Sequence, residues 1–161
     1  MPSEKKAVEV AGASRRGLTP ELDRMIDDIS NQHGVDSSIV KGLIKAESNF
    51  DPQAKGANGA SGLMQVMPDT AKKMGASNVF DAADNLGVGV RYLKGLIERF
   101  GKVEVALAAY LRGPRVVSEE GHVKDEGARG YVERVLRYSK AYRQAAEVFS
   151  GDVVSSESAR E

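Results

Sequence analysis

Apolar residues recur at helical spacing along most of the chain. Leu22, Met25, Ile26 and Ile29 lie three and four residues apart, the period that turns one stripe of a helix toward a core. Thr19-Pro20-Glu21 marks the start of that helix, with Thr as N-cap and Pro at the first helical position, and Gly34 closes it. Asp36 caps a second helix whose inward face is Ile39, Val40, Leu43 and Ile44. Pro68 opens a short helix reaching about Met74-Gly75. A longer one from about Asp84 to Phe100 aligns Leu86, Val90, Leu93, Ile97 and Phe100. Lys102 to Tyr110 turns Val103, Ala106, Leu107 and Tyr110 inward, and a last helix, roughly Tyr131 to Phe149, aligns Tyr131, Val135, Tyr138, Tyr142 and Phe149. No alternation of polar and apolar residues lasts long enough for a strand, so the expected class is mainly α. Phe50–Gln65 and Arg112–Gly130 lack the helical period. The second is long for a structureless connection, which marks a functional or mobile loop. The polar ends, residues 1–17 and 150–161, read as flexible arms around one domain at 18–149.

Composition narrows the function. A length of 161 residues fits one domain, and 41% hydrophobic with 29% charged residues can fill a core and stay soluble. Basic and acidic side chains number 23 each, so bulk charge does not favour DNA, RNA or anionic lipid. No apolar run approaches the roughly 18 residues that a membrane span needs. Glu9 and Gly12 interrupt Ala7–Ala13, so the start is not a secretory signal; either export takes another route or a signal has been removed. Cysteine is absent, which excludes disulfides, thiolate metal sites and a cysteine nucleophile. His33 and His122 are far apart and outside any H-E-x-x-H pattern, so neither a metal site nor a cofactor is expected.

Glu47 continues the apolar stripe of the second helix, one turn beyond Leu43 and Ile44. A carboxyl buried there would be pushed toward neutrality and could serve as a general acid. At a helix end it could equally turn to solvent or take an arginine partner. The loop that follows, AKGANGASGLMQ at 54–65, is rich in Gly and Ala. Glycines let backbone approach a ligand closely, and Gln65 offers both a donor and an acceptor to a sugar hydroxyl or acetamide. An ordinary connector with a Leu-Met core anchor fits the same residues.

Taken in series, these motifs resemble the soluble lytic transglycosylase family, a catalytic domain type related to goose-type lysozyme. The likeness runs through Glu47-Ser48-Asn49-Phe50-Asp51-Pro52, then Gly59-Ala60-x-Gly62-Leu63-Met64-Gln65-Val66-Met67-Pro68-x-Thr70-Ala71. It continues with Asn85-Leu86-x-x-Gly89-x-x-Tyr92-Leu93, Ala106-Leu107-Ala108-Ala109-Tyr110 with Gly113-Pro114, and Tyr131-Val132-x-x-Val135. The resemblance implies a lysozyme-like helical fold with a saccharide-binding groove, peptidoglycan glycan strands as partner, and cleavage between N-acetylmuramic acid and N-acetylglucosamine. It makes Glu47 the single acid/base, sets Gln65 and Tyr92 in the groove and Tyr110 beside the carboxyl, and adds Met64 and Ser48 to the substrate-binding set. It implies a lyase-type cleavage that closes a 1,6-anhydro ring. It also places the protein in the bacterial periplasm or cell envelope, or on a virion, with any envelope-assembly, secretion-system or phage partner unknown.

Three positions depart from the family pattern. Leu111-Arg112 follows Tyr110 where Asn-Ala is common, Gly56 stands where Ser is frequent, and Gly127 holds the place of a Glu four residues before Tyr131, with Glu126 one step away. These keep open a catalytically weakened peptidoglycan-binding module and a muramidase that uses water. A remoter alternative is a DNA-binding helix-turn-helix at Ser30–Lys45, whose second helix would offer Ser37, Ser38, Lys41 and Lys45 to bases.

Overall fold

A computed structural model describes residues 16–157. Its helices are α1 (Pro20–Gln32), α2 (Ser37–Ser48), α3 (Pro68–Met74), α4 (Ala82–Phe100), α5 (Val103–Arg112) and α6 (Glu126–Glu157), with 3₁₀ turns at Ala57–Gly59 and Pro114–Val116. Among the described residues β structure is limited to isolated antiparallel bridges, Lys55 with Ser61, Ser61 with Val66, and Val117 with Val123.

The helix starts follow the expected chemistry. The Thr19 hydroxyl accepts from the Leu22 amide at 3.2 Å, Asp36 accepts from the Ser38 amide at 2.9 Å, and Asp81 accepts from the Asp84 amide at 2.9 Å. Each cap satisfies an amide that the first turn leaves without a partner. Helix α2 lies at the centre, with Val40, Leu43 and Ile44 fully buried. It runs against α6, where the Ser38 and Ser139 hydroxyls meet at 3.0 Å in the interior. Helix α5, whose Ala106–Ala109 segment is wholly buried, packs against both α4 and α6. The expected apolar faces therefore close on one core.

The last helix differs from expectation at both ends. It begins at Glu126, before Tyr131, because the Asp125 carboxylate accepts from the Ala128 amide at 2.9 Å and caps a turn that Gly127 and Gly130 had masked. It also runs past Phe149 to Glu157, through the segment read as a flexible arm. The remaining arm residues, 1–15 and 158–161, and the side chain of Phe149 lie outside the described residues. No helix among the described residues is long and apolar enough to cross a membrane. Lys41 and Ser38, read as possible base contacts, are engaged elsewhere. Lys41 is clamped between Asp23 at 2.6 Å and Asp27 at 2.9 Å, and Ser38 is buried.

Candidate active site

Glu47 sits in the last turn of α2, carried there by the buried stripe before it. Burial pushes its carboxyl above the ordinary value of 4.5, and a hydrogen bond from Tyr131 and the charge of Arg134 pull it back only in part. The Tyr131 hydroxyl, from α6, donates to Glu47 Oε1 at 2.6 Å. Burial, and then the negative charge of Glu47, push the phenols of both Tyr131 and Tyr110 well above their usual range. They remain protonated and act as donors.

The backbone after Glu47 is tightly held. The Ser48 hydroxyl donates to the Leu63 carbonyl at 2.6 Å. Asn49 and Phe50 both take the left-handed conformation, with φ of 52° and 63°. That region is unfavourable for a bulky residue. Phe50 is held in it by burial, with its ring edge-on to Tyr142 at 6.1 Å. Asn85 of α4 reaches into the returning loop. Its Nδ2 donates to the Ser61 and Val79 carbonyls at 2.8 Å each, and its Oδ1 accepts from the Met64 amide at 2.9 Å. A Cβ on Gly62 would come within 2.4 Å of Asn85 Nδ2, so only glycine admits that side chain.

A cavity of about 470 Å³ opens over Glu47, and its lining includes Asn58, Gln65, Met67, Tyr92, Tyr110 and Leu111. Among its lining residues Glu47 is the only carboxylate and Arg112 the only cation. The structure thus brings Glu47, Gln65, Tyr92 and Tyr110 to one wall-to-wall space. Tyr92 and Tyr110 pack with ring centroids 5.5 Å apart, and the Tyr110 hydroxyl donates to the Met64 carbonyl at 2.6 Å. Met64 and Ser48 do not reach the cavity. Met64 is fully buried, its sulfur lying where a Cβ on Gly89 would come within 2.4 Å, and the Ser48 hydroxyl is spent on backbone. They shape the loop from behind.

Gln65 is engaged differently from the expectation of a groove residue with a free amide. Its Nε2 donates to the Ala54 and Gly62 carbonyls at 3.2 and 3.0 Å. Its Oε1 lies only 2.0 Å from where a Cβ on Gly56 would stand. The side chain has folded into the space that a serine at 56 would need, so the two positions are coupled. Tyr131, placed by periodicity on the core face of the last helix, is in addition the hydrogen-bond partner of Glu47. Its place in the Tyr131-Val132 motif was the available signal, but a stripe gives the face and not the partner at its end.

A family model described as transglycosylase SLT domain matches residues 24–131. The chain belongs to that family. Among its relatives, a transglycosylase of Enterobacteria phage PRD1 is 39% identical over 84 residues, covering 52% of this chain and 32% of that protein. Membrane-bound lytic murein transglycosylase F of Desulfosudis oleivorans is 36% identical over 113 residues, covering 66% and 24%. This SLT domain therefore spans about a quarter to a third of the length of those curated relatives. Its fold matches that of an inactive glutamate-to-glutamine variant of lytic transglycosylase Slt from Pseudomonas aeruginosa, with a TM-score of 0.66 at 26% identity. That match covers 77% of this chain and 24% of the other. The lysozyme-like helical fold expected for an SLT domain is the one found here.

Proposed function

We propose that this domain, residues 18–149, cleaves peptidoglycan glycan strands between N-acetylmuramic acid and N-acetylglucosamine as a lytic transglycosylase, with Glu47 as its single acid/base. The observation that carries the reading is the lone, half-buried carboxyl of Glu47 in a cavity whose lining holds no second carboxylate. Glycosidases that use two carboxylates place both beside the scissile bond. With one, the protonated Glu47 gives its proton to the glycosidic oxygen, and the muramic acetamide steadies the positive charge that develops at the anomeric carbon. The ionised Glu47 then takes the proton of the C6 hydroxyl as that oxygen closes on the anomeric carbon. The products are a free N-acetylglucosamine end and a 1,6-anhydro muramic end, with no water consumed and Glu47 protonated again. Tyr131 orients the carboxyl and moderates its proton affinity, and Tyr92, Tyr110 and Gln65 form the walls that receive the sugar rings. The reading places the protein at the bacterial cell wall, in the envelope or on a virion, in keeping with relatives from bacteria and a phage.

The test is Glu47→Gln. Glutamine keeps the shape but can neither give nor take the proton, so turnover of purified peptidoglycan should fall by about 10²–10⁴-fold. The linkage has a definite sign. A carboxyl whose folded-state affinity for protons exceeds its unfolded one favours the fold while protonated, and that contribution is lost as pH rises from the ordinary 4.5 through the raised value of Glu47. Wild-type stability should decline across that window relative to Glu47→Gln, which carries no such group. A variant that retains full turnover would remove Glu47 from the chemistry.

A further inference from the structure

Two departures from the family pattern, far apart in sequence, meet at one place. Arg112 ends α5 at the rim of the cavity, and its Nε lies 3.3 Å from the Asp125 carboxylate ahead of α6. A Cβ on Gly127 would stand 3.2 Å from Arg112 Nη2, so a glycine there leaves room for the guanidinium, and a longer side chain would crowd it. The side chain of Arg112 is 51% exposed and is the one cation lining the cavity. A guanidinium carries five N–H donors in a fixed fork, so one contact at Nε leaves donors on both Nη nitrogens. That fork matches a carboxylate in two-point contact.

We propose that Arg112, positioned by Asp125, is a specificity determinant that takes a carboxylate of the glycan substrate. This rests on the reading of the cavity as a peptidoglycan site. A strand of N-acetylglucosamine alone is neutral. Peptidoglycan is anionic through carboxylates borne on the muramic lactyl arm, either the free lactyl group or those of an attached stem peptide. The chemistry recognised is the same in both cases. Asp125 holds the guanidinium over the rim but also competes for it, so removing the Asp125 charge should strengthen the preference for an anionic ligand, and removing the Arg112 charge should abolish it. A purely structural ion pair would not move the two variants in opposite directions.

The experiment measures affinity of the whole chain, carrying Glu47→Gln to prevent cleavage, for three oligosaccharides of equal length. One is a neutral N-acetylglucosamine oligomer, one contains muramic acid with a free lactyl carboxylate, and one contains muramic acid bearing its stem peptide. Arg112→Ala should lower the ratio of anionic to neutral affinity by roughly tenfold, the scale of a charge-assisted contact. Arg112→Lys should lower it less, because a point charge lacks the fork. Asp125→Asn, which keeps an N-cap side chain, should raise the ratio. Loss on the free lactyl ligand assigns that carboxylate, and loss confined to the peptide-bearing ligand assigns the stem. An unchanged ratio for both anionic ligands in Arg112→Ala overturns the inference and leaves the cavity reading intact. Failure of all three ligands to bind the parent protein overturns the cavity reading and this inference with it.

Discussion

Between α2 and α3 the chain is tied from within. Asn85 uses both donors and an acceptor on Ser61, Val79 and Met64, Ser48 and Tyr110 bond the carbonyls of Leu63 and Met64, and Gln65 folds back on Ala54 and Gly62. Between α5 and α6 the ties are made outside. Arg129 donates from Nε and Nη2 to the Val123 carbonyl at 3.0 and 2.7 Å, Arg112 meets Asp125, and Val117 bridges Val123, with charged side chains on the surface. Both stretches lack helical period and both border the cavity. The first is fixed from the inside, by the buried Asn85 with the part-buried Ser48, Tyr110 and Gln65, and the second by the exposed guanidiniums of Arg112 and Arg129. Burial makes the first set costly to break, since an orphaned buried group loses its partner without gaining water.

The largest effect should come from Asn85→Ala. It leaves the Met64 amide and the Val79 carbonyl without their partner, while the Ser61 carbonyl keeps the Val66 amide at 3.0 Å. At roughly 1–3 kcal/mol for each orphaned group the loss should reach about 2–4 kcal/mol, read as a lower urea midpoint. A loss under about 1 kcal/mol would show that water replaces the side chain, and that the inner ties are no stronger than the outer ones.

Gly56→Ala should be intermediate. The new Cβ cannot coexist with Gln65 Oε1 at 2.0 Å, so the glutamine must swing out and give up its bonds to Ala54 and Gly62. The expected cost is about 1–2 kcal/mol, and it should nearly vanish when Gly56→Ala is made in a Gln65→Ala background. Equal costs in the two backgrounds would mean that the positions are not coupled.

Arg129→Ala should be the mildest, about 0.5 kcal/mol, because its hydrogen bonds to the Val123 carbonyl are exposed and water can take the acceptor. A thermal midpoint that drops as far as in Asn85→Ala would erase the contrast between the two loops.

This contrast also explains what could be read from the chain alone. Leu22, Met25, Ile26 and Ile29, or Ile39, Val40, Leu43 and Ile44, announce their helices because burial imposes a period on them. Glu47 was legible for the same reason, as a charge at the end of such a stripe, and the motifs around Gln65, Tyr92 and Tyr110 brought their neighbourhood with them. The start of α6 was hidden because Gly127 and Gly130 are poor helix formers, and a single cap at Asp125 overrides them. Tyr131 was read as core because periodicity gives a direction and not the atom met there. Met64 and Ser48 look like site residues by adjacency, yet they face the scaffold. The Gly56–Gln65 exchange was least legible of all, since it pairs a missing side chain with the space another side chain fills.

The central claim is that one half-buried carboxyl, Glu47, carries out both proton transfers without water. The mass of the products released from purified peptidoglycan tests it most directly. The account predicts muramic ends in the 1,6-anhydro form, lighter by one water than reducing ends, released by the wild type and lost in Glu47→Gln. Reducing muramic ends from the wild type would contradict it, because they would mean that the ionised Glu47 takes its second proton from a water and not from the C6 hydroxyl.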